Sequence, residues 1–152
     1  LSGDQRLQAE KLGFRVTIDF SQLPIDYPIN GMVARKDFIR NNRDALKRFL
    51  RAWVEGIKIF KTDKDFTLKV LKKYLRIEDK EILDKNYEFY KPVFESIPYP
   101  ERKGVAFEMT RLGATSPEAA KLEIDDFLDS SLVSELVNEG FFKNLYSEKP
   151  TK

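Results

Sequence analysis

Asn30-Gly31-Met32-Val33-Ala34-Arg35-Lys36-Asp37-Phe38 runs directly into Ile39-Arg40-Asn41-Asn42-Arg43-Asp44-Ala45-Leu46-Lys47-Arg48-Phe49-Leu50, and the fold class turns on how this junction is read. Asn30-Gly31 is a turn pair. Met32-Val33-Ala34 is a short apolar run that suits a buried strand, with Lys36-Asp37-Phe38 ending it. From Arg43 the period changes. Leu46, Phe49, Leu50, Trp53, Ile57 and Phe60 recur at three- and four-residue steps and predict one long amphipathic helix to about Lys61. Asn41 and Asn42 are placed to cap it. Arg40, Arg43, Lys47 and Arg51 recur on another face, where the interleaved Asp44 and Glu55 mark a solvated surface rather than a phosphate site. Trp53 lies in the apolar stripe and is read as core.

Upstream, Ser2 to Leu12 has helical character and Gly13 stands where a helix stops. Phe14-Arg15-Val16-Thr17-Ile18-Asp19-Phe20 alternates apolar and polar residues, the period of a half-buried strand. Ser21 to Pro28 carries Pro24 and Pro28 and reads as a loop.

Downstream only helices are predicted. Asp63 or Asp65 caps a helix through Leu75, and Glu78 to Tyr90 forms the next. Pro92, Pro98 and Pro100 then interrupt an aromatic-rich zone of Tyr87, Phe89, Tyr90, Phe94 and Tyr99, which is read as packing. Glu101 to Leu112 is helical, Ser116-Pro117 opens a further turn, and Leu132 to Asn138 is closed by Gly140 before the apolar end Phe141 to Tyr146. Two strands cannot make a stable sheet alone. Their partner strands are therefore expected in residues upstream of Leu1 or in a second copy of the chain.

Composition narrows the chemistry. The 152 residues are 41% hydrophobic, with 12 Phe, 6 Tyr and 1 Trp, too many large aromatics for a chain that never folds. The balance of 27 basic and 25 acidic residues, net +2, gives no strong field for nucleic acid or a membrane surface. The chain has no Cys and no His, which excludes disulfides, thiolate metal sites and His-dependent triads within it. No apolar run reaches the ~20 residues that span a bilayer. Asp125, Asp126 and Asp129 lack the glycine turn and closing Glu of a calcium loop, so they are assigned to capping and helix-dipole compensation before Leu132. No metal and no cofactor is expected, and the chain is read as a non-enzyme.

Three stretches, in order, are similar to one family. Ala9 to Phe20 resembles the "A…GF…l.dl" segment late in the second lobe of the substrate-binding proteins of ABC importers for nitrate, sulfonates, taurine, bicarbonate and thiamine precursors. Asn30 to Leu50 resembles the strand that returns to the first lobe and the long helix after it, with Arg43 where the family has a Pro. Asp126-Phe127-Leu128-Asp129-Ser130-Ser131 followed by Glu139-Gly140-Phe141-Phe142-Lys143-Asn144-Leu145-Tyr146 resembles the family's ending.

The resemblance implies an α/β fold of the periplasmic-binding-protein type II class. Residues 1–28 would end the second lobe. Residues 29–152 would hold the return strand and the helical C-terminal part of the first lobe, with about five to six helices, in a fragment that lacks the N-terminal half. It implies capture of a small solute in an interlobe cleft by hinge closure, an ABC permease in the membrane as partner, and a periplasmic or lipid-anchored cell-surface location. Tyr27, Asn30 and Gly31 would stand where the chain crosses between lobes: Asn30 offers an amide, Tyr27 a ring and hydroxyl, and Gly31 close backbone approach. Ser2 and Asp4 would stand at a helix start, a natural anion site, although Asp4 would repel an anion there.

The same fold family includes thiamine-pyrimidine synthases that consume a histidine, and the lack of His weighs against that branch in this chain. A helical self-associating interaction module is the other alternative. Unpaired strand edges and an incomplete apolar face predict a homodimer.

Overall fold

The computed structural model describes residues 3–19, 22–23 and 31–147. Among these there are eight α-helices, 3-10 turns that include Ala119–Lys121 and Ile124–Asp126, and no strand. The helices are α1 (Gly3–Lys11), α2 (Lys36–Asn41), α3 (Arg43–Thr62), α4 (Lys64–Leu75), α5 (Lys80–Tyr90), α6 (Arg102–Gly113), α7 (Ser131–Asn138) and α8 (Phe141–Ser147).

This overturns the α/β expectation. Phe14, Val16 and Ile18 alternate with polar neighbours as a strand should, yet all three are exposed and residues 14–19 form no ladder. Met32-Val33-Ala34 is likewise no strand, and Val33 is 97% exposed. The reason is that a strand is a pairing and not a local state. Alternation shows which face would be buried if a neighbour supplied the ladder, and no described residue supplies one. The periplasmic-binding-protein architecture, which needs such sheets, is not what these residues form.

The helices after the junction lie where the periodicity puts them, and their ends have identifiable causes. The Asp63 carboxylate accepts from the Phe66 amide and starts α4. Asp79 accepts from the Glu81 and Ile82 amides at 2.9 and 3.1 Å and starts α5. Glu101 accepts from the Gly104 amide to start α6. Ser116 accepts from the Ala119 amide at 3.2 Å, the extra turn expected after Pro117. Gly13 and Gly140 take the positive φ values, +87° and +73°, that terminate helices at low steric cost.

Two details differ. Lys36-Asp37-Phe38, expected to end a strand, opens the short helix α2. Asn42 does not cap α3 with its side chain; its Nδ2 reaches back to the Phe38 carbonyl at 3.2 Å and closes α2.

The chain divides into two compact units. One contains residues 1–18, 51–98 and 143–152. Its core joins Ile77, Ile82 and Leu83 with Leu7 of α1 and with Leu68 and Leu71 of α4. Lys11 at the end of α1 pairs with Asp79 and Glu81 at the start of α5, at 2.5 and 3.0 Å. Beside this core the buried Tyr87 ring lies 5.4 Å from Phe60, which in turn meets Phe94 edge-on at 5.1 Å.

The other unit contains residues 19–50 and 99–142. Here Leu132, Val133 and Leu136 of α7 and Phe142 of α8 are buried. Each such side chain contributes about 1.5–3 kcal/mol by leaving water. α6 packs along the two 3-10 turns at Ala119–Lys121 and Ile124–Asp126.

Candidate binding surface

Of the residues expected to line a solute site, Ser2, Tyr27 and Asn30 lie outside the described residues. Asp4 belongs to α1 near its start. Gly31 is exposed, and a side chain at its place would meet nothing within 4 Å. Among the described residues no group of three or more carboxylates is arranged to hold a metal ion.

The basic stripe of α3 has a use that its sequence did not disclose. Arg43 donates from Nε to Glu135 Oε1 at 2.9 Å and from Nη2 to Ser131 Oγ at 3.0 Å. Lys47 bridges Glu135, at 3.2 Å, and Glu139. The cations hold Glu135 below the usual carboxylate range, Arg43 through its hydrogen bond more than Lys47. Hydrogen bonds from Lys47 to Glu139 and then to Glu135 raise the lysine in turn. Part of the stripe read as solvated is therefore an intramolecular clasp onto α7. Glu135 lies 92 positions from Arg43, and Glu139 92 positions from Lys47, so no local pattern links them.

The aspartates resolve in the same way. Asp125 pairs with Arg102 at 2.5 Å and Asp126 with Lys36 at 2.8 Å. Asp129 accepts from the Ser131 amide at 2.9 Å at the start of α7. Hydrogen bonds from Arg102, Lys36 and Ser131, in that order, lower the three carboxyls. Capping at Asp129 agrees with the sequence reading, and the other two carboxylates are spent on cations.

Surface hollows open in each unit among the described residues. In the second unit, Glu101, Arg102, Lys103, Ala106, Met109, Glu123 and Ile124 surround about 670 Å³ with an apolar floor and a charged rim. In the first unit, Ala52, Trp53, Gly56, Ile57, Phe60 and Phe94 line about 240 Å³ of mainly apolar space.

Trp53, expected in the core, is instead 41% exposed on the rim of the smaller hollow. Val54 and Ile57 take the inward positions of α3, and the stripe is wider than the core that covers it. Such a surface offers apolar contact and aromatic area rather than proton transfer or metal chemistry. No protein-family model, curated protein or solved structure matches this chain. Among the described residues no helix is long and apolar enough to cross a membrane.

Proposed function

We propose that this chain serves in the solute-binding component of an ABC importer. That component captures a small molecule of the nitrate, sulfonate, taurine, bicarbonate or thiamine-precursor class and hands it to a membrane permease at the periplasmic face or cell surface. One observation carries the reading: three separate stretches, Ala9 to Phe20, Asn30 to Leu50 and Asp126 to Tyr146, resemble that family in the same order along the chain. The second stretch implies a long helix, and α3 is one; between α3 and Ser147 the described residues form helices and 3-10 turns separated by loops. The described residues form no sheet, so the support for this reading is the order of the three stretches together with α3.

The test is thermal unfolding of the full-length protein with nitrate, taurine, an alkanesulfonate, bicarbonate and an aminopyrimidine, each titrated separately. A true solute at a hundred times its dissociation constant stabilises the folded state by about 2.7 kcal/mol. One saturable upward shift, reduced by Tyr27→Ala or Asn30→Ala, supports the reading. No shift with any solute at millimolar concentration removes it.

A second reading, a helical self-associating module, is favoured by one observation: α3 exposes Phe49, Trp53 and Ile59 to solvent. This reading needs no solute cleft and is decided by the state of association.

A further inference from the structure

The hollow of about 670 Å³ lies wholly within the second unit, between the first turns of α6 and the segment that leads into the 3-10 turn Ile124–Asp126. Ala106, Met109 and Ile124 supply its apolar surface. Part of its charged rim is already committed. Arg102 pairs with Asp125 and so ties α6 to the 3-10 turn. The Glu101 carboxylate accepts from the Gly104 amide at the start of α6. Lys103 on α6 and Glu123 ahead of the 3-10 turn are both exposed, and neither has an ion pair among the described residues.

We propose that this hollow binds a short peptide with free ends and apolar side chains. The occupant follows from what is left unpaired. One free cation, one free anion and an apolar floor are complementary to a molecule that carries one charge of each sign on an apolar body. An anion alone would face the carboxylates of Glu101 and Glu123, and a metal ion would face Lys103.

The placement of the two charges sets the length. Lys103 and Glu123 stand on different elements of the lining. An α-amino acid carries both of its charges on one carbon, whereas a peptide carries them at its two ends, about 3.3–3.6 Å further apart for each residue added. The carboxylate end then meets Lys103, the ammonium end meets Glu123, and the side chains cover Ala106, Met109 and Ile124.

The test follows the backbone amides of the full-length protein by NMR while the tripeptide Leu-Ala-Leu is added. Saturable shifts at Lys103, Ala106, Met109 and Ile124 are expected at millimolar concentration. N-acetylation of the peptide removes its ammonium, and C-terminal amidation removes its carboxylate. Each should weaken binding about two- to fivefold, the range of an exposed ion pair. Trialanine keeps both charges but lacks the larger side chains, and should bind about tenfold more weakly.

Two substitutions assign the ends. Glu123→Gln should remove the penalty of N-acetylation, and Lys103→Gln should remove that of amidation, each leaving the other penalty in place. Both residues are exposed, so neither variant disturbs the core. The absence of saturable shifts, shifts confined to other residues, blocked peptides that bind as well as the free one, or penalties unchanged in the variants would each overturn the proposal. So would trialanine binding as well as Leu-Ala-Leu, or free leucine binding as tightly as the tripeptide. None of these readouts uses an importer solute, so the outcome is independent of the solute-binding reading.

Discussion

Arg43 and Glu135 stand 92 residues apart in the chain, and their side chains meet between α3 and α7, with Arg43 Nε 2.9 Å from Glu135 Oε1. Lys47 completes the clasp by bridging Glu135 and Glu139. Both ends are partly exposed, so the clasp sets how α7 docks more than it sets overall stability.

Its pH dependence has a definite sign. Glu135 is held below its ordinary value of 4.5, chiefly by the hydrogen bond from Arg43. A depressed carboxylate stabilises the folded state above its unfolded value and loses that contribution as pH falls through the folded one. Lys47 is raised above 10.5, chiefly by Glu139, so its share is complete below that value and is lost as pH climbs through the higher folded one. Hydrogen exchange of the α7 amides should stay slow, after correction for intrinsic rates, between about pH 5 and 10 and accelerate toward acid. In Glu135→Gln that acid step should shrink. An unchanged step in the variant would show that the clasp does not govern α7.

Leu136 is fully buried in α7 and Tyr87 is 1% exposed in α5. Leu136→Ala should cost about 2–5 kcal/mol in urea denaturation. Tyr87→Phe should cost less than about 1.5 kcal/mol, because the hydroxyl reaches only the Lys61 carbonyl at a long 3.4 Å. Tyr87→Ala should lose about 3–5 kcal/mol, since it removes the ring packed on Phe60.

The Asp63 cap joins α3 to α4 with a single acceptor on the Phe66 amide, 2.9 Å away. Asp63→Ala should lower stability by about 1 kcal/mol, while Asp63→Asn should retain most of it. Equal losses in the two variants would assign the effect to charge rather than to the cap.

Arg76 and Gly140 both end helices with positive φ, at +56° and +73°. Gly140→Ala should destabilise by about 1 kcal/mol, because its backbone conformation disfavours a Cβ. Arg76→Gly should be neutral or stabilising by up to about 1 kcal/mol for the same reason in reverse. Paired denaturation curves check both.

Much of the local structure was legible in the sequence. The period of Leu46, Phe49, Leu50, Trp53, Ile57 and Phe60 placed α3, Asp63 or Asp65 was expected to start α4 and the structure selects Asp63, and Gly140 placed the end of α7. These features depend on hydrogen bonds and dihedral preferences within a few residues, so a few residues suffice to encode them. The short helix α2 escaped because six residues are too few to show a period.

What depends on distant partners needed the tertiary structure. Phe14 to Asp19 and Met32 to Ala34 carry strand patterns, but a ladder takes a neighbour that local sequence cannot specify. Trp53 and Val54 are adjacent in α3, yet Val54 is wholly buried and Trp53 lies on the surface. The amphipathic period fixes the angle at which a side chain leaves the helix, and only the packing of other elements decides whether that angle meets protein or water. The same reason turned Arg43 and Lys47 from a predicted solvated stripe into a clasp. A charge pattern shows where cations stand on a helix, and the fold alone brings Glu135 and Glu139 to them.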